Sequence, residues 1–217
     1  MTIQRPSSFH QRATIEAAMQ LDGYEKWLPS FDVHGLNRPR SRPDELAGQG
    51  RFAAVLLMIY LKQNRLHLVL TRRRDDLQDH PGQVAFPGGS QDPGESIDQT
   101  AIRETVEEIG VQSARLTLIG ELNSVYIPPS DFTVSPFVGW HEGVPEFRPS
   151  EAEVAELLEV DVCHLLNPET LTTGEIEYIG KGETQRVTAP YFRVDEHKVW
   201  GATAIMLGEF VDRLQQV

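Results

Sequence analysis

Apolar and polar positions alternate along this chain with two different periods. Phe52 to Leu61 is an almost unbroken apolar run and reads as a buried strand. Lys62-Gln63-Asn64-Arg65 reads as a hairpin turn into Leu66 to Thr71, where Leu66, Leu68 and Leu70 alternate with other residues. Ser96 to Ile109 carries helical spacing and is stopped by Gly110. Upstream, Ile15 to Leu28 also has helical spacing, with Ile15, Ala18, Met19 and Leu28 aligned, and residues 33–50 read as an irregular linker rich in Pro, Gly, Arg and Asp. Residues 78–95 are rich in Gly and Pro and read as an ordered loop. Leu116 to Leu122, Phe132 to Trp140, Ile176 to Tyr178 and Val187 to Phe192 read as strands. Glu151 to Leu158 and Val160 to Leu166 surround a short helical or turn region. Thr203 to Gln216 reads as a closing helix, burying Ile205, Met206, Phe210, Val211 and Leu214. The pattern predicts an α/β or α+β fold, a mixed sheet flanked by helices, with no internal repeat.

Composition narrows the function classes. The chain has 217 residues and a formal net charge of −12, with 32 acidic against 20 basic residues. That balance argues against gripping nucleic acid by general phosphate attraction, although a local basic patch or a bound cation can still serve a phosphate-bearing substrate. The single cysteine, Cys163, excludes an intrachain disulfide and a cysteine-rich zinc site, and is expected to be a core thiol. The longest apolar run is too short to span a bilayer, and the N-terminal residues lack a secretory pattern, so a cytoplasmic protein without a membrane partner is expected.

The chemistry concentrates in Gly89 to Val111. On a helix, Glu104, Glu107 and Glu108 share an arc of roughly 100°, while Ala101, Ile102, Thr105 and Ile109 occupy another that can face the core. A solvated acidic face is the ordinary reading of such a cluster. Crowded carboxylates repel by about 0.2–0.5 kcal/mol per pair, and a divalent cation reverses that sign. An all-oxygen set suits Mg²⁺ or Mn²⁺ better than zinc. Arg103 stands four residues before Glu107 and can pair with it, or with Glu95 at the head of the helix.

Gly89, Glu95, Arg103, Glu104, Glu107, Glu108, Gly110 and Val111 stand at the offsets of the Nudix box, and the segment resembles that of the Nudix hydrolase family. Thr105 departs, standing where an aliphatic residue is usual. The resemblance implies a Nudix-type mixed sheet sandwiched between helices and hydrolysis of a diphosphate linked to another group. It implies Glu104 and Glu108 as leading metal ligands, Glu107 also near the metal, and Arg103 and Glu95 as groups that support the ligands.

The residues ahead of the box narrow the branch. Leu70, Thr71, Arg73, Gly82, Phe86, Pro87, Gly88 and Gly89 keep the intervals of the coenzyme A pyrophosphatase signature, which the run resembles. Val69, Arg74 and Gln78 depart from it. The Gln78 departure matters most, because an arginine is usual there and a charge-assisted phosphate contact is worth about 1.5–3 kcal/mol. The resemblance continues at Phe132 to Gly139, Ser150 to Val154 and Trp200 to Ala204. It implies a coenzyme A-type nucleotide as substrate, lying against Arg72, Arg73, Arg74, Gly88 and Gly89. The bland alternative is that Asp75 and Asp76 simply pair with those arginines. Tyr126 and Phe132 are candidates to stack on a base, or ordinary core aromatics.

The general base is open among Glu107, Glu151, Glu153 and metal-bound hydroxide. Ser150 with Glu153 also fits a helix capping box, a purely structural role. His80 reads as a loop or substrate-edge residue. Residues 1–49 are expected to form an N-terminal extension and 50–217 the Nudix domain. A homodimer is permitted but not demanded. Rival readings are a Nudix hydrolase for ADP-ribose, a dinucleotide or a nucleoside triphosphate, and a non-catalytic ligand sensor.

Overall fold

The computed structural model describes residues 8–21, 50–127, 130–180 and 183–217. The main sheet is mixed. Strand β1 (Arg51–Lys62) runs antiparallel to β2 (Arg65–Arg73). Strands β3 (Val84–Ala85) and β4 (Gly88–Ser90) pair with β2 and β1 respectively. After helix α2 (Ile97–Ile109) come β5 (Leu116–Glu121), β6 (Val125–Ile127) and β7 (Phe132–His141). β7 lies parallel to β1 and antiparallel to β5 and β6. β8 (Val154–Asp161) pairs with the other edge of β2. A single helical turn, α3 (Val162–Leu165), leads to a separate three-stranded antiparallel sheet. Its strands are β9 (Leu171–Gly180), β10 (Glu183–Val194) and β11 (His197–Trp200). Helix α4 (Gly201–Gln215) closes the chain, and α1 (Ser8–Met19) opens it.

The apolar run of β1 is continuous because both faces of the sheet are covered. Ala53, Leu57 and Ile59 enter the larger core with Ile15, Ala18 and Met19 of α1 and Phe210 of α4. Ala54, Leu56, Met58 and Tyr60 enter a second core with Ala101 and Ile109 of α2. The hairpin turn forms as expected, with φ of +50° at Gln63 and +60° at Asn64, the positive values a two-residue hairpin loop requires.

Several expectations are corrected. The first helix ends at Met19, and Leu28 and most of the expected linker fall outside the described residues. The 78–95 loop contains β3 and β4. The segment after Ser150 does not become a helix: residues 151–153 turn, and Val154 begins β8. The Ser150–Glu153 capping box is therefore absent; the Ser150 carbonyl instead accepts from the amides of Glu153 (3.1 Å) and Val154 (2.9 Å). Cys163 is exposed rather than a core thiol: in the four-residue α3 it is Val162 and Leu165 that turn inward.

Candidate active site

Helix α2 builds the site. Ser96 caps its start, with Gln99 accepting from the Ser96 amide at 3.1 Å, and Gly110 ends it with φ +69°. A side chain at Gly110 would also meet the Arg148 carbonyl oxygen at 2.5 Å. Ala101, Thr105 and Ile109 are buried against the sheet. The departure at Thr105 is benign: its hydroxyl donates to the Ala101 carbonyl at 2.7 Å, so no polar atom is stranded.

The remaining face carries the acids. Arg103 organises them. Its Nε and Nη2 donate to the two oxygens of Glu95 at 2.9 and 3.0 Å, a bidentate pair. Its Nη1 donates to Glu104 at 2.9 Å and Glu107 at 3.2 Å, and Nη2 also reaches the Ser90 carbonyl at 3.0 Å. Thr100 Oγ1 donates to Glu95 at 2.8 Å. The Arg103 hydrogen bonds, with help from Thr100 and the Asp92 amide, hold the Glu95 carboxyl down to about 2. Both partners expected for Arg103 are thus engaged at once. Thr100 and the Ser90 carbonyl were not anticipated; Thr100 lies five residues after Glu95, a spacing the sequence offers without emphasis.

Glu104 is mostly buried, and burial raises its pKa against the pull of Arg103. A Cβ on Gly89 would fall 2.4 Å from its carboxyl carbon, so only glycine lets β4 approach this acid. Gly88 is equally confined: its Cβ would fall 2.2 Å from the Ala54 carbonyl oxygen.

Glu108 is 4% exposed. Burial first, and then the nearby charge of Glu153, push its carboxyl up to about 8; Arg73 and the Gly88 amide oppose this only partly. Arg73 Nη1 stands 4.0 Å from Glu108 Oε1, and the buried Oε2 has no hydrogen-bond partner among the described residues. A buried carboxylate oxygen without a donor, beside the partly buried carboxylate of Glu104, fits a hard divalent cation: such an ion satisfies the lone pairs and removes the repulsion. Glu107, with 59% of its side chain exposed, leans on Arg103.

The three arginines before the box have different surroundings. Arg72 pairs with Asp75 at 2.5 Å, and Arg74 pairs bidentately with Asp76 at 2.8 and 2.7 Å. Arg73 faces Glu108, with its Nε donating to the Asp79 carbonyl at 3.2 Å. Glu151 and Glu153 are exposed on the turn before β8, and Glu153 bears electrostatically on both Glu104 and Glu108. His80 is exposed with φ +54°. Tyr126 and Phe132 are half-buried: Tyr126 donates to Asp131 at 2.9 Å, and Phe132 lies under the Arg51 guanidinium at 4.0 Å.

A buried carboxylate, Glu108, beside a partly buried one, Glu104, which Arg103 holds and Gly89 abuts, can bind a cation against an anionic substrate. The NUDIX domain family matches residues 50–196. The chain belongs to the Nudix hydrolase family. It is accordingly a hydrolase acting on diphosphate bonds, in a family that uses divalent metal ions such as Mg²⁺ or Mn²⁺. NudL of Photorhabdus laumondii, described as an uncharacterized Nudix hydrolase, is 33% identical over 80% of this chain and 90% of its own length. Nudix hydrolase 3 of Caenorhabditis elegans is 33% identical over 86% of this chain and 82% of its own length. Among solved structures, the Nudix hydrolase RenU of M. smegmatis aligns with a TM-score of 0.46 at 24% identity, over 52% of this chain and 72% of that one. Among the described residues of this Nudix chain, no helix is long and apolar enough to cross a membrane.

Proposed function

We propose that this Nudix hydrolase cleaves the diphosphate of coenzyme A or its thioesters, yielding 3′,5′-ADP and 4′-phosphopantetheine or its acyl form. Glu104 and Glu108 hold Mg²⁺ or Mn²⁺, with Glu107 at the rim. The bound cation supplies neutralisation of charge on the phosphoryl oxygens and a lowered pKa for the attacking water. The chain's own residues do the rest. Arg103, locked on Glu95, fixes the Glu104 carboxylate. Arg73, beside Glu108, offers positive charge to the anionic substrate. Gly88 and Gly89 let β4 lie against β1 and the Glu104 carboxyl, which places their backbone beside the metal site. Glu153 accepts the proton of the water whose oxygen attacks phosphorus, and Glu151 shares its turn. The phosphorus–oxygen bond of the anhydride breaks, and the displaced phosphate leaves as the second product.

The observation that supports the coenzyme A reading is the spacing of Leu70 to Gly89 around this site. Its two ends reach the acids: Arg73 lies 4.0 Å from Glu108, and Gly89 packs on Glu104. The test is kcat/KM for coenzyme A, dephospho-coenzyme A and ADP-ribose with saturating Mn²⁺. The reading predicts the highest value for coenzyme A and a marked loss without the 3′-phosphate. Turnover of ADP-ribose with none of coenzyme A would sink the substrate assignment while leaving the diphosphate chemistry in place.

A further inference from the structure

The turn that carries Glu151 and Glu153 is tied down at both ends. On one side it hangs from the last turn of α2: the Ser150 amide donates to the Glu108 carbonyl at 2.8 Å, and the Arg148 amide to the Ile109 carbonyl at 2.9 Å. On the other side, ahead of the β8–β2 pairing that begins with Val154 opposite Arg73, the ties lead to one residue. The Arg74 amide donates to the Glu153 carbonyl at 3.0 Å, and Arg74 Nη1 donates to the Glu151 carbonyl at 2.7 Å. The guanidinium is itself aimed by Asp76, which accepts from Nε and Nη2 at 2.8 and 2.7 Å. All three of its nitrogens therefore have protein acceptors. These contacts hold the fork in one orientation. A planar fork serves this task well, because it spans a carboxylate along one edge and a carbonyl with its remaining nitrogen.

We propose that Arg74 is a positioning residue: braced by Asp76, it pins the 150–153 turn against the end of β2 and so fixes Glu153 opposite Glu108. The inference rests on the catalytic role given above to Glu153. It separates Arg74 from its neighbour Arg73, which stands beside the buried acid. Without the guanidinium the turn keeps the Arg74 amide bond to the Glu153 carbonyl and the strand pairing from Val154 onward but loses its tie at Glu151, and small misplacements of a proton acceptor cost large factors in rate.

The experiment compares wild type, Arg74→Ala, Arg74→Lys, Glu153→Gln and the Arg74→Ala/Glu153→Gln double variant. All are assayed with Mn²⁺ on whichever diphosphate the wild type turns over best, alongside thermal melts and hydrogen exchange. Arg74→Ala is expected to lower kcat roughly ten- to a hundredfold with KM within about twofold. Arg74→Lys, which keeps the charge but not the fork, should fall between. In the Glu153→Gln background the Arg74→Ala change should cost no further rate, as expected of residues acting through one another. The amides of Glu153 and Val154 should exchange at least about tenfold faster in Arg74→Ala. Losses that multiply in the double variant overturn the proposal. So does a rise in KM at constant kcat, which would mean direct substrate contact. So does unchanged exchange at Glu153 and Val154. A wild type that turns over no diphosphate refutes the functional reading instead, and the exchange rates then decide the positioning claim alone.

Discussion

Replacing Glu108 by glutamine tests whether a buried acid is being held ready for a cation. In the metal-free protein the folded state keeps the Glu108 proton until about pH 8, against an ordinary value of 4.5. The unfolded chain releases that proton near the ordinary value. Folded protein thus binds more protons across this window, and stability must fall as pH rises from about 4.5 to about 8, then level off. From pH 5 to pH 8 the fall amounts to about 4 kcal/mol at 1.36 kcal/mol per pH unit, large against a total of about 5–15 kcal/mol. Glu108→Gln keeps the shape and removes the titration. One end of the amide lacks a partner, as Oε2 does now, a cost of about 1–3 kcal/mol that is present at every pH. The assay is urea unfolding in EDTA at pH 5 and pH 8.5. The wild type should lose several kcal/mol relative to the variant between the two, and Mn²⁺ at pH 8.5 should restore stability to the wild type alone. Parallel pH curves for the two proteins would refute the reasoning, as would a variant that loses more than the wild type.

Other expectations follow from the same geometry. Gly89→Ala places a methyl 2.4 Å from the Glu104 carboxyl carbon, so Mn²⁺ affinity measured by calorimetry should drop about 10–100-fold; unchanged affinity would place Glu104 outside the metal site. Arg103→Lys replaces a fork that spans Glu95 and Glu104 with a point charge. Mn²⁺ affinity and kcat should each fall about tenfold or more, with a melting temperature close to wild type. Ile15→Ala empties a fully buried position in the main core and should cost about 2–5 kcal/mol in urea unfolding. A loss under about half a kcal/mol would mean that α1 contributes little to the core.

The main sheet and the acid-bearing helix were legible because local and tertiary demands agree there. β1 is apolar from Phe52 to Leu61 because it is covered on both faces, and α2 carries its own stop at Gly110. After Ser150 the sequence leaves a helix cap and a turn both open, because Ser and Glu three residues apart suit either, and the structure takes the turn. The choice was made elsewhere, by the free edge of β2, which captures Val154 onward as a strand. The burial of Cys163 was misjudged for a similar reason: exposure at the start of a four-residue helix depends on where the chain leaves the sheet. Of the acid cluster, the sequence offered the shared arc of Glu104, Glu107 and Glu108. It did not distinguish the buried Glu108 from the exposed Glu107, because that difference depends on where β4 and the 150–153 turn close over the helix. The arginine run is similar in kind, since three adjacent and chemically identical residues find three different partners once β2 ends.

The proposed reaction is attack of water on the diphosphate of coenzyme A, with a cation held by Glu104 and Glu108. It is tested most directly by incubating the protein with coenzyme A and Mn²⁺ in heavy-oxygen water and weighing the products. The expected products are 3′,5′-ADP and 4′-phosphopantetheine, with one heavy oxygen on one of the two. None of either is expected with EDTA, and the yield from Glu108→Gln should be lower by orders of magnitude. Intact coenzyme A alongside consumed ADP-ribose would contradict the substrate; products formed equally without metal would contradict the site.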